Sequence, residues 1–118
     1  MNYQFSKKSA SVTPDQIWSF LQNGLSKDVI IKSVQHEIPY NIDYIDDEVI
    51  SFTAESRNDG NPEFIKRVNF EEAVMGLLKE TKFNTSVSAD IFRKAGLYKK
   101  RSPVFALLIS AGIIEIIE

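Results

Sequence analysis

Apolar side chains near the end of the chain recur every three or four residues, which predicts two helices joined by a tight turn. The first helix follows Ser88 as its N-cap and ends at Gly96, a residue type that commonly closes helices in the left-handed conformation. The second helix starts with Ser102 as N-cap and Pro103 in the first position. The side chains expected in the core are Val87, Ile91, Phe92, Ala95, Val104, Leu107, Leu108 and Ala111.

Alternation of apolar and polar positions from Val29 onward predicts a small antiparallel sheet. Turns are expected at Asp46-Asp47 and at Asn58-Asp59-Gly60, which gives a meander of four strands. The apolar residues of these strands are, in order, Val29 and Ile31; Ile38, Tyr40, Ile42 and Tyr44; Ile50, Phe52 and Ala54; and the run from Phe64 to Val68.

Two further helices are predicted from capping boxes, in which two side chains satisfy the first N–H groups of a helix. Thr13 and Gln16 start one of them, which carries Trp18 into the core as an anchor. Asn69 and Glu72 start the other. Its apolar stripe consists of Phe70, Ala73, Val74, Leu77 and Leu78.

The run SADIFRKAGLYKKRSPVFALLISAGIIEII resembles the second and third helices and the first wing strand of winged helix-turn-helix domains. The end of the third helix carries the likeness through Leu107, Leu108, Ala111, Gly112, Ile113 and Ile114. The resemblance covers roughly the last third of the chain. It implies a three-helix unit that binds DNA.

The patterns and the resemblance together predict one α+β domain over residues 1–118. Residues 13–68 would form a helix and the β-meander, and residues 69–118 a winged-helix-like unit that shares their core. The terminal strand Ile113–Ile117 is apolar on both faces and needs a neighbour. Three neighbours are open: the arm around Tyr3, the strand after Phe64, or a second copy of the chain, which would make a homodimer.

Composition narrows the classes of chemistry. Cysteine is absent, which excludes thiolate metal sites and thiolate nucleophiles, and the single histidine, His36, leaves little for a zinc site or a histidine-based triad. No apolar run approaches the ~20 residues that span a bilayer, and the first residues lack the apolar stretch of a signal peptide. We therefore expect a cytoplasmic protein with no cofactor and no membrane partner.

The charge of the chain is unevenly distributed, although its net value is only −2. Basic residues gather around the connection between the last two helices, a segment we call the basic turn (Tyr98–Arg101). The resemblance implies that the basic turn lies at a helix N-terminus, where the helix dipole favours a phosphate. The residues expected to bind nucleic acid are Arg93, Lys94, Lys99, Lys100, Arg101 and Ser102.

The third helix lacks the Arg, Lys, Asn and Gln side chains that read base edges, so a DNA contact would rest on the backbone. Its second apolar face, formed by Phe105, Ala106 and Ile109, is either covered by the sheet or offered to a protein partner. The acidic turn, which contains Asp43, Asp46, Asp47 and Glu48, is predicted to be an ordinary solvated hairpin turn rather than a metal site.

The first function hypothesis is therefore a non-enzymatic module that binds nucleic acid, DNA above all, through phosphates. The alternative is a protein-interaction or dimerisation module that uses the third helix and the terminal strand. A nuclease built on the acidic turn is a third hypothesis, but Glu63-Phe64-Ile65-Lys66 in the last strand of the meander misses the expected spacing between carboxylate and lysine by one residue.

Overall fold

The described part of the chain, residues 2–7, 9, 11–25, 29–33 and 37–117 of a computed structural model, forms four α-helices and two antiparallel sheets. The α+β class predicted from the sequence is thus confirmed. In chain order the elements are β1 (Asn2–Phe5), α1 (Pro14–Gly24), β2 (Val29–Lys32), β3 (Pro39–Ile45), β4 (Val49–Thr53), β5 (Glu63–Lys66), α2 (Arg67–Leu78), α3 (Ala89–Lys94), α4 (Arg101–Ser110) and β6 (Ile114–Ile117).

The larger sheet is the predicted meander, with strand order β2-β3-β4-β5. Pro39 begins β3, a position where its missing N–H interrupts no ladder within the strand. The pairs Ile42–Phe52 and Ile50–Ile65 set the register, and their side chains are buried. The meander therefore presents an apolar face to the rest of the protein.

The smaller sheet shows which of the three possible neighbours pairs with the terminal strand. β6 pairs antiparallel with β1, with Tyr3 opposite Ile116, and Tyr3 also forms a bridge with Phe83 on its other side. The Tyr3 amide donates to the Phe83 carbonyl at 2.7 Å. The N-terminal arm is thus an inner strand between Phe83 and β6, and the terminal strand is paired within the chain.

The start of α1 confirms the predicted capping box. The Thr13 hydroxyl accepts the Gln16 amide at 3.2 Å, and the Gln16 side chain accepts the Thr13 amide at 2.9 Å. Trp18 is fully buried, as predicted, and its indole N–H donates to the Asp46 carbonyl at 2.9 Å. The Trp18 ring meets Phe70 of α2 edge to face, so α1 joins the hairpin to α2.

The predicted start of α2 was wrong by three residues. The helix begins at Arg67 rather than after Asn69, because β5 runs directly into it and the Arg67 amide donates to the Glu48 carbonyl at 2.8 Å. The Arg67 guanidinium pairs with Glu71 at 3.2 Å and with Asp15 of α1. Val68, predicted to lie in a strand, is therefore an exposed residue of the first helical turn.

The predicted burial of Val87 was also wrong, since 73% of this residue is exposed. The side chain of Asn84 accepts the Val87 amide at 2.7 Å in the turn before α3, which holds Val87 on the outside. Ser88 occupies the N-cap position, but its hydroxyl bonds the Asn84 carbonyl instead of capping the helix. The glycine stops at Gly96 and Gly112 have φ of +76° and +73°, as expected of left-handed helix ends.

Buried residues from all four helices and both sheets form one hydrophobic core. At the end that carries β1 and β6, Phe105 of α4 packs against the rings of Tyr3, Phe83 and Phe92. No helix in the described ranges is both long and apolar enough to cross a membrane. The core thus fixes α4, and with it the basic turn, against both sheets.

Candidate nucleic-acid interface

Within the basic turn, Tyr98–Lys100 form a short 3₁₀ helix that runs directly into Arg101, the first residue of α4. It follows the left-handed residue Gly96 and the buried residue Leu97, whose amide donates to the Phe92 carbonyl at 2.8 Å. The Lys100 amide donates to the Leu97 carbonyl at 2.9 Å. The turn is therefore anchored by one apolar side chain and by backbone hydrogen bonds, which fixes where its charged side chains start.

Two arginines contact the ring of Tyr98. The guanidinium carbons of Arg93 and Arg101 lie 4.6 and 4.2 Å from the ring centroid, within the range of cation–π interactions. Arg93 also pairs with Asp90 one turn earlier in α3. Arg101 donates to the carbonyls of Tyr98 at 3.0 Å and Thr85 at 2.8 Å. Both positive charges are thus held beside one partly exposed aromatic ring.

A further arginine, Arg57, contacts the basic turn, and the sequence did not predict it. Its guanidinium donates to both carboxylate oxygens of Glu63, at 2.8 and 3.1 Å, and to the Lys99 carbonyl at 3.0 Å. Hydrogen bonding to Glu63 raises the pKa of Arg57 further above its ordinary value. No local pattern pairs position 57 with position 99, because the contact joins the loop after β4 to the basic turn.

The structure separates Lys94 from the other predicted site residues. Lys99 is exposed and Lys100 is half-buried on the basic turn, whereas Lys94 lines a groove of about 710 Å³ beside α2. A second lysine, Lys79, and four carboxylates share that groove; the carboxylates are Asp15, Glu71, Glu72 and Glu80. Lys94 therefore lies in an acidic environment that disfavours an approaching phosphate.

Ser102 is not the N-cap that the sequence predicted. Lys100 occupies the N-cap position, α4 begins at Arg101, and Pro103 is the third helical residue rather than the first. The 3₁₀ turn causes this shift because it continues into the helix without an extended residue between them. The Ser102 hydroxyl lies 2.9 Å from the Tyr40 hydroxyl of β3, so it tethers α4 to the larger sheet.

α4 cannot serve as an exposed apolar surface. Six of its ten residues are buried, including Phe105 and Ala106 on the face that the sequence left open. Ile109 is partly buried against the same core. Of the two alternatives that the sequence left open for this face, the structure supports the first, in which the chain itself covers it. Since a helix that enters a DNA groove must expose one side, the structure also leaves α4 no face for reading bases.

The acidic turn between β3 and β4 has a structural role. The Asp46 carboxylate accepts the amides of Glu48 and Val49, both at 2.8 Å, and closes the hairpin. Asp43 binds the side chains of Asn41 and Ser51 instead of pointing at its acidic neighbours. In the described ranges no three His, Cys, Asp or Glu side chains gather as a metal site would require. His36, expected to be a surface residue, lies outside those ranges.

Of the six predicted site residues, the fold brings Arg93 and Arg101 onto the ring of Tyr98, next to Lys99 and Lys100 in the basic turn, and adds Arg57. This set of five cations is called the cationic cluster below. Comparison of the chain with protein-family models, curated proteins and solved structures finds no match in any of the three.

Proposed function

We propose that this protein is a non-enzymatic nucleic-acid-binding module that acts in the cytoplasm and contacts the phosphate backbone, of DNA above all, through the cationic cluster. The observation that carries the proposal is the joining of Arg93 and Arg101 on the Tyr98 ring next to Lys99 and Lys100. Cations that are held close together, with part of their surface exposed, favour a polyanion over single small anions.

The distribution of charge supports a local positive field. Residues 91–114 contain five basic residues and no acidic one, within a chain whose net charge is −2. Asp90 and Glu63 offset Arg93 and Arg57, whereas no ion pair within the described ranges involves Lys99, Lys100 or Arg101. The two lysines and Arg101 therefore supply most of the attraction to phosphate.

The order of the elements supports the resemblance to winged helix-turn-helix domains, although α4 has no exposed face that could read bases. Such a unit has the order helix, strand, helix, helix and strand. The same order is seen here in α2, the β-bridge at Phe83, α3, α4 and β6. β1 lies between Phe83 and β6, where a returning wing strand would be expected. Because α4 is buried, the proposed contact is to backbone and shape.

Lys99→Gln/Lys100→Gln is expected to weaken binding to a short random-sequence DNA duplex by about tenfold or more at low salt. Binding releases counterions from each phosphate that the protein contacts, so a variant with two fewer contacts releases fewer of them. The slope of log K against log salt concentration should therefore fall by about two units. Fluorescence anisotropy over a salt series measures both quantities. Arg101 is left in place because its bonds to Tyr98 and Thr85 also hold the turn.

Lys79→Gln/Lys82→Gln is the matched control, since it removes two exposed charges outside the cationic cluster. It should change the salt slope by less than half as much as the Lys99/Lys100 pair. Equal effects of the two pairs would show that binding follows net charge alone. A folded wild-type protein that fails to bind DNA at low salt would overturn the proposed function.

Dimerisation through the terminal strand is the second candidate function. β6 lies at the edge of the smaller sheet, and Ile116 is 44% exposed there. An edge strand with an exposed branched side chain can pair with its own copy across a twofold axis. If it does, sedimentation equilibrium should detect a dimer that Ile116→Lys converts to monomer, whereas Val87→Lys at another exposed apolar position should leave it intact. A wild-type monomer at high concentration would exclude this assembly.

A further inference from the structure

A pocket of about 470 Å³ opens beside the N-terminus of α4, within the volume range of small-molecule sites. Its walls come from β3, from the loop after β4, from the segment before α3 and from α4 itself. Elements that are distant in sequence thus meet around one concavity, and the Tyr40–Ser102 hydroxyl pair lies in its wall. We call it the Tyr40 pocket.

The lining of the Tyr40 pocket combines positive charge with hydroxyl groups. Arg57 and Arg101 both line it, and among its described lining residues none is Asp or Glu. The serine hydroxyls available there belong to Ser33, Ser56 and Ser102. Guanidinium and hydroxyl groups are the donors that proteins place around phosphate oxygens.

Several of these donors retain capacity for a ligand. The bonds to described residues use Nε and Nη2 of Arg57 and Nε and Nη1 of Arg101, so within the described ranges each guanidinium has a further amino group. In the Tyr40–Ser102 pair one hydroxyl donates to the other, and the acceptor keeps its own proton for a third group. Among the described residues no side chain caps α4, so the dipole of this ten-residue helix adds to the positive potential.

Part of the wall is apolar, which distinguishes this pocket from a site for a bare ion. Phe105 and Ile38 line it together with the ring of Tyr40. An apolar wall beside two guanidiniums suits a ligand with a dianionic phosphate at one end and a sugar or base at the other. An internal phosphodiester carries one charge and continues in both directions, so it fits a concave pocket less well than a terminal phosphate does.

We propose that the Tyr40 pocket binds the phosphate monoester of a nucleotide. If the phosphate monoester is the phosphorylated end of a nucleic-acid strand, this inference rests on the proposed function. The cationic cluster would hold the strand while the pocket, which shares Arg57 and Arg101 with it, takes the end. A free nucleoside monophosphate offers the same chemistry.

The test compares a single-stranded oligonucleotide bearing a 5′-phosphate with the same strand ending in a 5′-hydroxyl. The wild-type protein is expected to bind the phosphorylated strand about tenfold more tightly, as charge-assisted hydrogen bonds to one phosphate allow. Tyr40→Phe/Ser102→Ala should reduce the preference to within about twofold while it preserves binding of the hydroxyl strand. This pair removes both hydroxyls at once, so no buried partner is left unsatisfied.

Ser56→Trp provides a second variant that places bulk in the pocket from an exposed position and removes no hydrogen bond observed within the described residues. It too should abolish the preference for the phosphate. Adenosine monophosphate, titrated by calorimetry against the wild type and Ser56→Trp, tests the free nucleotide as ligand. Binding that Ser56→Trp removes would support the pocket.

The outcomes separate this inference from the proposed function. Equal affinity for the two strands, with no binding of adenosine monophosphate, overturns the pocket and leaves backbone binding intact. If neither strand binds but adenosine monophosphate binds to wild type and not to Ser56→Trp, the proposed function fails and the pocket stands with a free nucleotide as its ligand. A phosphate preference that survives both variants would place the phosphate elsewhere and overturn the pocket.

Discussion

Phe105→Ala is expected to lower the free energy of unfolding by about 3–5 kcal/mol, because it removes a buried ring at the meeting point of several elements. The centroid of the Phe105 ring lies 5.1 Å from the ring centroid of Tyr3, 5.9 Å from that of Phe83 and 5.6 Å from that of Phe92. These contacts join α4 to β1, to the segment after α2 and to α3. Denaturant titration followed by circular dichroism measures the change.

Phe20→Ala in α1 is the matched control, since Phe20 is 53% exposed. The same truncation should cost less than about 1 kcal/mol there, as expected of an exposed position. If the two variants lost equal stability, α4 could not occupy the centre of the core. The loss of binding expected from Lys99→Gln/Lys100→Gln would then need another structural basis.

Trp18→Ala is expected to cost a similar amount, about 3–5 kcal/mol, for a different reason. Trp18 fills the interface between α1 and α2 with its ring and holds the β3–β4 hairpin through the Asp46 carbonyl. Arg67 also lies over this ring, 5.5 Å from its centroid. Since Trp18 is the one tryptophan of the chain, its removal abolishes tryptophan fluorescence, and the measurement needs circular dichroism.

Trp18→Phe separates packing from the hydrogen bond. It keeps an aromatic ring against Phe70 but leaves the Asp46 carbonyl without the indole donor. The expected loss is about 1–2 kcal/mol, well below that of Trp18→Ala. Equal losses for the two variants would assign the whole effect to the hydrogen bond and would contradict the packing role.

Features whose determinants are local were predictable from the sequence. The capping box at Thr13 and Gln16 needs two side chains three residues apart, and both hydrogen bonds are present. The left-handed helix ends at Gly96 and Gly112 depend on single residues. The meander follows from the alternation of apolar and polar positions, which is the period of a strand.

Helix starts were less predictable where an adjacent element overrides the local signal. Asn69 and Ser102 are good capping residues, yet α2 begins two residues before Asn69 and α4 one residue before Ser102. β5 and the 3₁₀ turn lead straight into these helices, and in the case of α2 the Glu48 carbonyl binds the first amide. The extended residue that a capping side chain requires is therefore absent at Asn69 and Ser102.

The candidate site was predictable in part. The run of basic residues around Tyr98 marked the turn, but its composition could not show that Lys94 faces carboxylates or that Arg57 reaches the Lys99 carbonyl. It also could not show that Ser102 bonds to Tyr40. Each of these contacts joins residues brought together by packing of the whole chain, for which a local pattern carries no signal.

The position of β1 has a consequence for how the protein is made. Gln4 and Glu115, which share a hydrogen bond across β1 and β6, are 111 positions apart. On the ribosome, β1 emerges well before β6 and meets this partner strand only after the 111 positions that separate Gln4 from Glu115 have been translated. Closure of such a long loop is a slow, late event, so the rings that Tyr3 covers should stay accessible to chaperones until β6 has been made. A circular permutant that links β6 to β1 by a short loop would bring this step forward and should fold faster.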